Sequence, residues 1–210
     1  MRIYQFPEED DKYTIPEKLI HGTTSWGVLS ISEKGIKSRG FSPLGIQNPP
    51  ASLDFGEGFY CSLDNPVCRR QVEARAKTKA EGYENASVSP VILEVLVDKQ
   101  INKDTSLNCL YFDGDLEVDG LKWAEYIAFH RVNKSKNKCT TSPCNGHPDI
   151  IIGPVADGLA ISKYAHDVMN GSLPLEEFYN IITKSSWFPG YKQYVFSDKA
   201  IKYLAPVLKL

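Results

Sequence analysis

The chain is expected to fold as an α+β domain. Short apolar runs of strand length occur at residues 90–98 and 149–157, and short helix-length segments separate them. The two kinds of element do not alternate with a regular βαβ rhythm. That pattern disfavours a dinucleotide-binding Rossmann unit. No Walker-type loop, HExxH or Gly-x-Ser-x-Gly sequence is present to suggest another common site.

Residues 1–18 read as an acidic lead-in, and 19–210 as one domain. Leu19 and Ile20 form a short strand with His21, Gly22 and Thr23 directly at its end. Trp26 to Lys34 is expected to be a helix capped by Thr24 or Ser25 and stopped by Gly35. Residues 40–50, rich in Gly and Pro, form an irregular surface loop. At 53–64, Gly56 and Gly58 kink the chain before Phe59 and Tyr60, which point to opposite faces if the segment is extended.

Asp64 or Asn65 caps a helix that starts at Pro66 and runs to about Ala80, its many charges marking it as mostly solvated and Val67, Val72 and Ala74 serving as weak packing positions. Residues 90–98 are near-continuously apolar and predict a central strand. Residues 107–112 extend the sheet, and 121–131 form a helix on which Trp123, Ile127 and Arg131 share one face, Tyr126 and His130 another. Lys134 to Lys138 read as a solvated loop. A buried strand at 149–157 is followed by helices at 160–170 and 175–183, an aromatic loop at 184–192 and a strand at 193–197. A last helix, capped by Asp198, holds Ala200, Ile201 and Leu204.

Composition bounds the function. With 24 basic and 26 acidic residues the net charge is -2, so no overall cationic field draws the chain to nucleic acid or anionic lipid. No stretch approaches the roughly 20 apolar residues of a membrane helix, and the N-terminus lacks a signal-peptide core. The expected compartment is the cytoplasm, or the exterior by a route without a cleavable signal, and no membrane partner is expected. The five cysteines form no dense framework. Cys139, Cys144 and His147 invite a zinc reading, but no fourth ligand stands nearby in sequence. The segment therefore reads as a loop with two thiols, able to form a disulfide under oxidation, and no metal is expected. His130 and His147 read as bystanders, and Arg131 as a structural partner of Asp149 or Asp157.

The ordered set His21-Gly22-Thr23, Glu33-Lys34-Gly35-Ile36-Lys37, Gly56-Glu57-Gly58-Phe59-Tyr60-Cys61-Ser62-Leu63-Asp64 and Lys192-Gln193-Tyr194-Val195-Phe196 resembles the ADP-ribosyltransferase superfamily, in its diphtheria-toxin and poly-ADP-ribose-polymerase branch. More closely it resembles an uncharacterised bacterial group with a His-Tyr-Gln pattern. The resemblance implies split mixed or antiparallel sheets flanked by short helices. It also implies NAD as substrate: His21 binds the adenine-side ribose, the Gly22 backbone holds the nicotinamide carboxamide, and Tyr60 stacks on the nicotinamide ring, with Thr23 and Phe59 beside them.

Gln193 would stand where many members carry a catalytic glutamate. It can bond a ribose hydroxyl but cannot offset developing positive charge. Trp187, Phe188 and Tyr191 match the loop that meets the acceptor, which would be a protein or a nucleic acid. The lack of an acid at Tyr191 disfavours an arginine target. The same residues admit a non-catalytic NAD or ADP-ribose binder, or an interaction protein that docks through residues 187–191.

Overall fold

The computed structural model describes residues 2–5, 14–38, 53–83, 87–112, 119–133, 139–140, 143–144, 146–156, 160–184 and 190–208. Its strands are β1 (Arg2–Gln5), β2 (Lys18–Thr24), β3 (Phe59–Ser62), β4 (Pro90–Val97), β5 (Asn108–Tyr111), β6 (Ile150–Pro154), β7 (Lys192–Phe196) and β8 (Leu204–Val207). The α-helices are α1 (Ser25–Lys34), α2 (Pro66–Glu81), α3 (Gly120–Val132), α4 (Ile161–Met169) and α5 (Leu175–Thr183). The expected α+β class holds.

The strands form one sheet in the order β1-β5-β6-β7-β3-β2-β4-β8, antiparallel throughout except for β5 beside β6. One junction in it is narrow. β2 pairs with β4 along its whole length, from Lys18 opposite Leu96 to Thr24 opposite Pro90, yet it meets β3 through Ile20 and Ser62 alone. The sheet is continuous there by a single residue pair and divides on either side of it.

Alternation of side chains along each strand builds two cores. Leu19, Phe59, Cys61, Val95, Ile152, Tyr194 and Phe196 pack on one face, whereas Leu110, Ile151 and Val195 meet α3, α4 and α5 on the other. α3 lies between the sheet and the two outer helices and is buried nearly all round: from Trp123 to His130 only Glu125 is exposed. α2 covers the remaining patch, packing Cys68 and Val72 on Ile20, Val155 and Tyr191.

Local chemistry explains the helix ends. Thr24 Oγ1 accepts from Gly27 N at 3.2 Å to start α1, and Gly35 ends it at φ 72°, a region that glycine enters without a steric cost. Asn65 Oδ1 accepts from Val67 N and Cys68 N at the head of α2, with Pro66 in the first turn. The buried face of α2 is Cys68, Val72, Ala76 and Ala80, spaced by four, with Gln71 alongside; Val67 and Ala74 face solvent, contrary to expectation.

Three further expectations change. His21 to Thr23 lie within β2, not after it, because β4 offers a partner along the full strand. Arg2–Gln5, expected to be lead-in, forms the edge strand beside β5. The expected last helix is a single 3-10 turn, Ile201–Tyr203, after which Leu204–Val207 extends to pair with β4. Pro206 cannot donate to a helical ladder and is tolerated on an edge strand. The loops at 40–50 and 134–138 lie outside the described residues.

Candidate functional site

The junction of β2 and β3 brings His21, Gly22 and Thr23 of β2 beside Phe59 and the backbone of Tyr60 on β3. Beyond the Ile20 and Ser62 pair the ladder stops, and the His21 imidazole enters the gap: its Nδ1 lies 2.6 Å from the Tyr60 carbonyl and its ring stacks on Phe59 at 4.3 Å. A proton on Nδ1 makes that contact a hydrogen bond and leaves Nε2 as the free ring nitrogen. Partial burial, then the charge of Lys79, pushes the His21 pKa down to about 3, so the ring is neutral at physiological pH. Gly22 lies under α2, where a Cβ would meet the Val72 carbonyl oxygen at 2.7 Å, and its own carbonyl accepts from Lys79 Nζ at 2.7 Å. Thr23 is buried at the head of α1.

Tyr60 projects to the opposite face from Phe59, as its position in the strand requires. Its hydroxyl donates to the Gly56 carbonyl at 2.7 Å and accepts from Phe55 N at 3.1 Å, closing the turn onto the strand. Burial, reinforced by the Asp54 charge, raises the phenol pKa, so the group remains a neutral donor.

Gln193 shares that face. It sits opposite Ser62, while Tyr60 sits opposite Val195, so the two side chains are diagonal neighbours on adjacent strands. Gln193 is 3% exposed and its Nε2 donates to Asp54 Oδ2 at 2.9 Å. Asp54 is itself buried: it accepts from Ala156 N at 2.9 Å and Arg131 Nε at 2.9 Å, and a second guanidinium nitrogen bonds the same oxygen as Nε. This network, which sequence reasoning missed, ties β3's leading turn, α3, the end of β6 and β7 together. Arg131 therefore pairs with Asp54, not Asp149. Asp149 bonds Asn108 N, Ser197 and Lys199 instead, and Asp157 lies outside the described residues.

The aromatic loop is only partly described. Trp187 and Phe188 lie outside the described residues. Tyr191, expected to be an exposed contact residue, is 4% exposed and packs under α2, its hydroxyl accepting from Ser62 Oγ at 2.6 Å. Trp123 is core, edge-on to Tyr179.

A second constellation lies behind the turn. His130, Cys139, Cys144 and His147 present ligand atoms all within 4.8 Å of one another, a group able to hold a metal ion. The expectation of no metal rested on a missing fourth ligand; α3 brings His130 to Cys139, Cys144 and His147, which completes a four-membered group and removes that ground. Cys144 has a lowered thiol pKa, mainly through hydrogen bonding from Cys139.

Neither a curated protein nor a solved structure matches the chain. A family model does, over residues 39–205, which take in the turn, Tyr60, the Asp54 network and the cysteine-histidine group. The chain belongs to the family described as protein of unknown function (DUF3990).

Proposed function

We propose that the protein is a mono-ADP-ribosyltransferase-like enzyme that takes NAD at the β2–β3 junction, cleaves the nicotinamide-ribose bond and passes ADP-ribose to a protein or nucleic-acid acceptor. The observation that carries this reading is the junction itself. A sheet that narrows to one pair leaves the backbone of both strands open beyond it: His21 and Gly22 on β2 and the Tyr60 carbonyl on β3 face the gap, with the His21 ring on Phe59 and the Tyr60 ring on the opposite face of β3. Neutral His21, anchored through Nδ1, offers Nε2 to a ribose hydroxyl. The Tyr60 ring, fixed by its hydroxyl to the turn, offers a π-face to the cationic nicotinamide. Gly22 lets α2 approach the strand closely, and a carboxamide seated on the Gly22 backbone would share or displace the Lys79 contact to its carbonyl.

A second reading, a non-catalytic NAD or ADP-ribose binder, is favoured by one observation. Gln193 has its amide committed to Asp54, whose charge is already matched by Arg131. No free carboxylate at that position offsets positive charge as the glycosidic bond breaks.

Incubation with NAD labelled in the adenylate portion, with lysate proteins and nucleic acid as acceptors, separates the readings. The enzyme reading requires nicotinamide release and a labelled acceptor, both reduced at least about tenfold by Tyr60→Ala, which corresponds to about 1.4 kcal/mol of transition-state stabilisation. Calorimetric NAD binding without release supports the binder. Absence of both release and binding overturns both.

A further inference from the structure

We propose that His130, Cys139, Cys144 and His147 form a closed structural zinc centre that fastens α3 and the 139–147 segment to the turn preceding β3. The inference does not rest on the transferase reading. Zinc bound at about 2.3 Å to sulfur and 2.0–2.1 Å to nitrogen in a tetrahedron places neighbouring sulfur and nitrogen ligands roughly 3.5 Å apart. Cys139 Sγ lies 3.3 Å from His130 Nε2 and 3.7 Å from His147 Nδ1, and Cys144 Sγ lies 3.7 Å from the same Nδ1. These three separations are close to the edge length of such a tetrahedron, and all four atoms lie within 4.8 Å of one another.

An independent observation is the orientation of both imidazoles. His130 Nδ1 lies 2.9 Å from the Tyr126 carbonyl, and His147 Nε2 lies 3.1 Å from the Glu57 carbonyl. A carbonyl only accepts, so each ring places its proton on the outward nitrogen and turns a lone pair toward the thiols. Carbonyl-anchored imidazoles of this kind are the usual support of metal-ligating histidine. Packing alone requires neither orientation. The Tyr126 hydroxyl, 3.4 Å from Cys144 Sγ, adds a bond to one sulfur.

Ligand chemistry selects the ion. Two sulfurs and two imidazole nitrogens in a tetrahedral set suit zinc above magnesium or calcium. On binding, each thiol gives up its proton to solvent, two thiolates balance the dication, and the buried centre has no net charge. Four protein ligands leave no position for water, so the centre is structural, not a hydrolytic catalyst.

The centre also reaches the other site. At Gly56, φ is 75° and a Cβ would come within 2.6 Å of His130 Cδ2; the Gly56 carbonyl receives the Tyr60 hydroxyl, and Glu57 supports His147. Arg131, the partner of Asp54, follows His130 directly. One metal would hold the backbone from which Tyr60 and Asp54 are positioned.

The test is metal content and cobalt spectroscopy on the full chain, purified under reducing conditions without a polyhistidine tag. About one zinc per chain is expected, falling below about a tenth in Cys139→Ser/Cys144→Ser. Because that variant can fail to fold, Co2+ is also titrated into metal-stripped wild-type protein. An intense tetrahedral ligand-field spectrum with thiolate charge-transfer absorption, displaced by one equivalent of Zn2+, is expected. Zinc below about a tenth of an equivalent after reconstitution, an octahedral cobalt spectrum without thiolate bands, or a Cys139–Cys144 disulfide in the reduced protein would overturn the proposal. None of these readouts involves NAD.

Discussion

At the residue scale, the position of Gln193 is set by Asp54. Replacing it with glutamate brings a second carboxylate to the place where Nε2 now donates at 2.9 Å, against an aspartate that Arg131 already neutralises. Gln193→Glu is therefore expected to lose about 1–3 kcal/mol in chemical denaturation at neutral pH, and to recover part of it as acid protonates the new group. Asp54→Asn removes the opposite charge from a mostly buried guanidinium and is expected to cost about 3–5 kcal/mol by the same measurement.

His21 gives a pH dependence. The unfolded chain takes up its proton near the ordinary 6.5 and the folded chain only near 3, so between those values the unfolded state holds more protons. Stability is full above 6.5 and falls as pH drops through the window, by up to a few kcal/mol. An NMR titration showing the His21 ring protonating near 6.5 in the folded protein would contradict this.

At the element scale, the β2–β3 junction depends on glycine. A methyl group at Gly22 would meet the Val72 backbone oxygen at 2.7 Å and Val72 Cγ1 at 3.0 Å, and backbone cannot rotate away as a side chain tip can. Gly22→Ala is expected to cost about 1–3 kcal/mol in thermal or chemical unfolding and to weaken NAD binding, since α2 must lift from the strand.

What the sequence could disclose divides at this scale. His21, Tyr60 and Gln193 were legible as an ordered set, and so were most strands and helices, because periodicity and caps are local. The pairing of Arg131 with Asp54 was not: the residues are 77 apart in sequence, and Asp149 and Asp157 were nearer. Cys139, Cys144 and His147 could be seen as an incomplete ligand set, but His130 joins them only because α3 packs beside the loop. β8 was hidden because Ala200, Ile201 and Leu204 read as one helical face after the Asp198 cap, while its partner β4 lies about a hundred residues earlier. The burial of Tyr191 was hidden likewise, since only the packing of α2 shows that this aromatic faces inward.

For the whole molecule, the helical layer of α3, α4 and α5 and the β2–β3 junction are joined through one turn, residues 54–58. That turn gives Asp54 to Arg131 and Gln193, the Gly56 carbonyl to Tyr60 and the Glu57 carbonyl to His147. Disturbance at the cysteine-histidine group should therefore be felt at the β2–β3 junction. A high-affinity chelator is expected to lower the unfolding temperature and weaken NAD affinity together, and restored Zn2+ is expected to return both.

The central claim is that the junction is an NAD site. The most direct measurement is a crystal structure of the protein grown with NAD. The account predicts nicotinamide against the Tyr60 ring, its carboxamide on the Gly22 backbone, and a hydroxyl of the adenine-side ribose at His21 Nε2. Well-ordered NAD bound away from the β2–β3 junction, or a junction that stays closed at saturating NAD with the Lys79 contact to Gly22 intact, would contradict it.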